Sequence, residues 1–157
     1  MIKKISISLF FSFLLVLSSC SKDDDQKRNS KDLLTGSWTL TATKVYTFYE
    51  GELQDVEEDF YDTPPYNVLT LEVDGSAYYE TPEYEDKFYG SWLLEENNFK
   101  TDVRIEPGVV SSGPIYFFPE GEVLELNATH FSYKSMTLYK QRDGKSYSYY
   151  VETYFEK

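Results

Sequence analysis

The sequence predicts an all-β domain, an antiparallel barrel or sandwich of eight substantial strands. Three observations point there. The chain is rich in strand-favouring aromatics, with 15 Tyr and 11 Phe among 157 residues. From Leu33 onward, apolar residues recur with a period of two in stretches divided by turn residues such as Glu50-Gly51, Asp74-Gly75 and Asn97-Asn98. No stretch sustains a helical period long enough for a convincing long helix.

Before the strands lies a leader. Met1-Ile2-Lys3-Lys4 is a short basic start, and Ile5 to Leu17 is an apolar run broken only by Ser. The run is too short for a comfortable membrane span and reads as a secretory signal peptide over residues 1–19. The single Cys follows at once. Leu17-Ser18-Ser19-Cys20 resembles a bacterial lipobox, in which Cys20 becomes the acylated N-terminus, carrying palmitate-type chains. Each buried CH₂ contributes about 0.8 kcal/mol, so two or three acyl chains hold a protein at a membrane. Ser21 next to the Cys resembles lipoproteins sorted to the outer membrane. Ser21-Lys22 followed by Asp23-Asp24-Asp25 resembles the export signal of surface-exposed lipoproteins, with a solvated charged spacer as the plain alternative. Residues 20–32 have little apolar content and read as a disordered tether.

The domain itself is expected over residues 33–157. Leu33–Leu40 opens it, and Gly36-Ser37-Trp38 sets a small residue and the bulkiest one on the same strand face. The Trp38 ring is expected to fold over the gap at Gly36 and close one end of a sheet or barrel. Trp38, Leu40, Ala42, Lys44, Tyr46 and Phe48 alternate with Thr39, Thr41, Thr43, Val45, Thr47 and Tyr49. Glu52 to Tyr66 reads as the main irregular segment, an acidic loop in which Leu53, Val56 and Phe60 line one side of a short helical turn. A loop of that length suits a lid. Asn67–Val73 and Ser76–Thr81 form a hairpin around Asp74-Gly75, and Pro82 ends the return strand. Phe88 to Leu94 and Phe99 to Ile105 pair across Glu95-Glu96-Asn97-Asn98. Pro107–Pro114 is a loop, followed by short pieces at Ile115–Phe118 and Val123–Leu126. Phe131–Lys140 and Tyr147–Phe155 close the chain as a hairpin around Arg142-Asp143-Gly144-Lys145. The count is eight substantial strands and one short piece.

Gly36-Ser37-Trp38, the Asp74-Gly75 hairpin, the second triplet Gly90-Ser91-Trp92 and the late Leu124-Glu125-Leu126 strand form an ordered series. The series resembles the lipocalin-like domain of small bacterial lipoproteins, and the lipobox before it fits that family. The resemblance implies an up-and-down lipocalin-like β-barrel, with a cavity for a small ligand in some members. Other members pair Cys residues in the barrel, which this chain cannot do with Cys20 alone.

Candidate chemistry is sparse. His130 is the only His and lies near Phe131 and Tyr133; it reads as a strand-end residue, and a single His with no Cys nearby argues against catalytic zinc. The acidic run Asp55–Asp62 lacks the Asp-x-Asp-x-Asp-Gly order of a calcium loop. Carboxylates are too many for one glycosidase pair to stand out, and there is no phosphate loop or nucleophile elbow. Asn127-Ala128-Thr129 fits a glycosylation pattern, which the resemblance to a bacterial lipobox implies is accidental. A formal charge of −12 opposes nucleic-acid binding.

The expectation is therefore a non-catalytic envelope lipoprotein without cofactor or metal, lipidated on Cys20. In its first form it binds a small apolar or amphipathic ligand in the barrel. Leu69, Leu71, Trp92, Tyr147 and Tyr149 are then wall candidates, with the Glu52–Tyr66 loop over the mouth. No individual ligand contact is assigned. In its second form the barrel is filled, and a Tyr-rich or acidic surface binds another protein or a glycan.

Overall fold

The computed structural model describes residues 30–85, 87–105, 115–142 and 144–157. The expected signal peptide, Cys20 and the expected loop over Pro107–Pro114 lie outside the described residues. Among the described residues twelve strands occur in chain order: β1 (Gly36–Tyr49), β2 (Glu52–Phe60), β3 (Val68–Leu71), β4 (Ser76–Glu80), β5 (Phe88–Glu95), β6 (Asn98–Thr101), β7 (Arg104–Ile105), β8 (Ile115–Tyr116), β9 (Gly121–Leu126), β10 (His130–Ser135), β11 (Leu138–Arg142) and β12 (Lys145–Glu156). All pairings are antiparallel. Eight strands form a ring in the order β1-β3-β4-β5-β6-β9-β10-β12, which closes where β12 pairs with β1. Ring neighbours follow one another along the chain, so the connection is up-and-down.

Two strands outgrow the ring. β1 has 14 residues and β12 has 12. The start of β1 pairs with β3 and its later part with β2; the end of β12 pairs with β10 and its beginning with β11. A four-stranded arm, in the order β11-β12-β1-β2, therefore projects from one end of the ring. At 3.3 Å per residue, β1 runs about 45 Å from ring base to arm tip.

The ring encloses an aromatic core. Trp38, Phe99, Phe131, Tyr133 and Phe155 are buried there with Leu69, Leu71 and Trp92. Phe131 lies 5.6 Å from Trp38, 5.1 Å from Phe99 and 5.4 Å from Phe155 between centroids. At the base, a short helix over 30–34 seats Leu34 fully buried, so residues 30–32 belong to this helix and not to the expected tether. Trp38 Nε1 donates to the Leu34 carbonyl at 2.5 Å. Lys157 lies over the indole, its Nζ 4.2 Å from the ring, and donates to the carbonyls of Leu33 and Thr35 at 2.8 and 2.9 Å. The Lys157 side chain also fills the space beside Gly36, so the gap expected to take the Trp38 ring takes the far end of the chain instead. Toward the arm, Phe118 closes on Tyr79 at 4.9 Å and Phe155 at 5.7 Å.

Several expected elements are corrected. Glu52–Phe60 is a strand, not a loop or helical turn. Glu50 (φ 52°) and Gly51 (φ 85°) both take left-handed backbone, which is the turn that joins two strands tightly. A bulge between Thr47/Phe48 and their partners places Gln54 out of register. That extra residue brings Leu53 onto the same face as Val56 and Phe60, which is why a strand shows a helix-like spacing. Another bulge, at Thr41, turns Ala42, Lys44, Tyr46 and Phe48 away from the face of Trp38 and Leu40. The strand expected over Phe99–Ile105 divides into β6 and β7 at Asp102, whose carboxylate accepts bonds from the Ser91 backbone and hydroxyl. The expected strand Phe131–Lys140 divides at Met136-Thr137 into β10, in the ring, and β11, in the arm. Val73 is 83% exposed because β3 stops at Leu71.

Candidate functional site

The arm is a two-faced sheet set by strand alternation. Its inner face continues the ring interior: Thr43, Val45, Thr47 and Tyr49 on β1 lie opposite Thr153, Val151, Tyr149 and Tyr147 on β12. Its outer face carries Lys44, Tyr46 and Phe48 beside Tyr154, Glu152, Tyr150 and Ser148. β2 adds Leu53, Val56, Glu58 and Phe60 to the outer face, and β11 adds Tyr139.

The outer face is aromatic, with a carboxylate at its centre. Tyr46 and Tyr150 stack at 4.6 Å, Phe48 lies 5.8 Å from Tyr150, and Lys134 Nζ sits 3.9 Å above the Tyr150 ring. The Tyr46 and Tyr154 hydroxyls donate to the same Glu152 oxygen, at 3.1 and 2.7 Å. Partial burial first, and then the Glu152 carboxylate, hold both phenols above their usual range. Lys44 and Glu58 pair at 2.7 Å, and this hydrogen bond raises the Lys44 ammonium. The sheet edges leave apolar groups in water: Phe60 is 67% exposed and Tyr139 82%. At the foot of the arm the small residues Ala42 and Ser132 form the floor of a cavity of about 320 Å³, walled by Phe60 and Tyr154 and rimmed by Glu125 and His130. This is the lower end of the range for ligand pockets.

The expected wall residues divide. Leu69, Leu71 and Trp92 meet in the ring core, where Trp92 Nε1 donates to the Glu72 carbonyl at 2.8 Å. Tyr147 and Tyr149 are on the inner face of the arm, beyond the ring. The segment expected to cover a mouth is, from Glu52 to Phe60, the acidic edge of the arm. His130 is at a strand end, its Nδ1 2.9 Å from the Thr129 hydroxyl and its Nε2 3.7 Å from Glu156. Asn127 serves a turn, its Oδ1 accepting from the Thr129 and His130 backbones. Asp55–Asp59 alternate between the two faces of β2, and among the described residues no group of three or more His, Cys, Asp and Glu is placed to hold a metal ion. Among the described residues no helix is long and apolar enough to cross a membrane.

Sequence reasoning missed the outer face because Lys44, Tyr46 and Phe48 share alternation parity with Trp38. The available signal was strand length, since β1 and β12 are far longer than their neighbours. Comparisons with protein-family models, with curated proteins and with solved structures give no match for this chain.

Proposed function

We propose that this protein is a lipid-anchored envelope protein, acylated on Cys20 in the outer membrane, whose lipocalin-like barrel is a non-catalytic scaffold for surface binding. The outer face of the arm binds another protein or a glycan. The observation that carries this reading is the contrast between interior and surface. Rings pack the interior at 5–6 Å centroid spacing, whereas a row of aromatics around Glu152 faces outward on the arm. Half-exposed Tyr rings present apolar area and a polar tip at low entropic cost, which suits partner surfaces and sugar faces. The described chain starts at the ring base, and the arm leaves from the opposite end. An anchor at Cys20 would thus hold the arm away from the bilayer.

The anchor is tested by mass spectrometry of the native protein, with an acylated N-terminal Cys20 expected; a free N-terminus at another residue would refute it. The binding face is tested by photo-crosslinkers placed in intact cells at Phe60, at Tyr139 and, as a control, at Tyr89, an exposed position on β5. A discrete adduct from the first two alone is expected. Equal labelling from Tyr89, or a stoichiometric apolar molecule co-purifying inside the ring, overturns the reading in favour of lumenal binding.

A further inference from the structure

The arm has two open edges of opposite character. Among the described residues β2 pairs only with β1, and β11 only with β12. β2 carries Glu52, Asp55, Glu57, Glu58 and Asp59 and no cation, whereas β11 carries Lys140 and Arg142 and no carboxylate. The faces also correspond. On β2, Asp55, Glu57 and Asp59 lie on the inner face, opposite Thr47, Val45 and Thr43, while Val56 and Phe60 lie on the outer face. On β11, Lys140 is on the inner face opposite Tyr147, and Tyr139 is on the outer face opposite Ser148.

Strand direction completes the match. Every pairing in the arm is antiparallel, so β11 and β1 run one way and β12 and β2 the other. A second copy's β11 laid beside β2 continues the same sheet in antiparallel sense with its outer face on the same side. Basic then meets acidic on the inner face, and Tyr139 joins the apolar row on the outer face. The two symmetric alternatives fail: β2 against β2 opposes carboxylates, and β11 against β11 opposes cations. Adjacent strands twist by roughly 20–25°. Four strands per copy therefore turn successive arms far enough to carry the two rings apart.

We propose that copies of this chain associate head to tail, with the β11 edge of one adding to the β2 edge of the next. The contact is heterologous and leaves one edge of each kind free at the ends of any open oligomer. The contact is made between strand edges and needs no outer-face partner; a crosslink from Phe60 or Tyr139 to a second copy of this chain reports this contact, and one to a different molecule reports the partner proposed above.

The test is sedimentation velocity on the full acylated chain in detergent, over a range of concentrations. Four forms are compared: the wild type, Glu57→Lys, Lys140→Glu and the double variant. The wild type is expected to form concentration-dependent dimers and longer species. Each single reversal weakens association by roughly tenfold, because it removes an attraction between the acidic and basic edges and adds a like charge to each, and the double variant, with one charge of each sign exchanged between the edges, recovers part of the loss. Both positions are exposed, and unchanged circular dichroism and melting establish that the variants fold. A wild type that stays monomeric throughout, or association that neither reversal weakens, overturns the proposal. So does binding of an added peptide of alternating Lys and Val by a chain that does not self-associate, since the β2 edge then serves a foreign strand.

Discussion

At the scale of single residues, Trp38 combines burial, a hydrogen bond, ring packing and a cation over its face. It is fully buried, bonded to the Leu34 carbonyl, packed on Phe131 and covered by Lys157. Trp38→Ala is expected to cost roughly 3–5 kcal/mol in urea unfolding, because so large a cavity at the ring base cannot collapse fully. Trp38 was legible from Gly36-Ser37-Trp38, but Lys157 was not: no local spacing links residue 36 to residue 157. The buried phenols set the pH response. Tyr79 is pushed up to about 12, chiefly by burial, and burial raises Tyr133 as well. An acid whose folded form holds its proton more tightly favours folding only while the unfolded form is also protonated. Stability should thus be level to about pH 10 and then fall by about 1.4 kcal/mol per pH unit for each such Tyr, until the folded phenol itself ionises. Urea midpoints between pH 8 and 12 check this, and Tyr79→Phe should flatten the slope. Among the described residues the buried Tyr133 hydroxyl makes no hydrogen bond of good geometry. Tyr133→Phe, which removes an unsatisfied polar group, should raise stability by about 1 kcal/mol or leave it unchanged.

At the scale of elements, two glycines hold strands for different reasons. Gly51 supplies left-handed backbone at the β1–β2 turn and has open space around it. Gly51→Ala should therefore cost about 1 kcal/mol, the price of backbone conformation alone. Gly121 pairs with Ser135, and a Cβ there would run into the backbone of Lys134. Gly121→Ala should cost several times more, or prevent folding, because neither β9 nor β10 can shift without disturbing the ring; parallel urea titrations of the two variants would show equal losses if close approach were unimportant. The hairpin at Asp74-Gly75 was readable because Asp74 also accepts from the Ser76 backbone and hydroxyl at 2.9 and 2.7 Å, a local device written in adjacent residues. The hairpin at Glu50-Gly51 was equally local, yet β2 hid behind it. Its carboxylates resemble a solvated loop, and the bulge at Gln54 broke the alternation that would have marked a strand.

At the scale of the whole molecule, ring and arm differ in what holds them. The ring buries Trp38, Phe99, Phe131, Tyr133 and Phe155 around one centre. All of β2 is exposed, and within the arm β1 and, from Tyr147, β12 are half-buried on both faces. Alternation could not separate the two regions, because a strand leaving a ring keeps its period of two and merely loses its core. Hydrogen bonds without buried apolar area open more easily than those around a core. Native-state hydrogen exchange should therefore resolve two levels. Amides of β2 and β11 should exchange by local opening, well below the free energy of global unfolding. Those of β3 and β10, together with the parts of β1 and β12 within the ring, should exchange only when the whole domain unfolds. Since β1 and β12 close the ring from opposite ends of the chain, the inner part of their pairing belongs to the second level and the outer part to the first. A gradient of protection along these two strands, falling from Leu40 and Phe155 toward Tyr49 and Tyr147, is the expected result. Uniform protection along both strands would mean instead that ring and arm unfold as one unit.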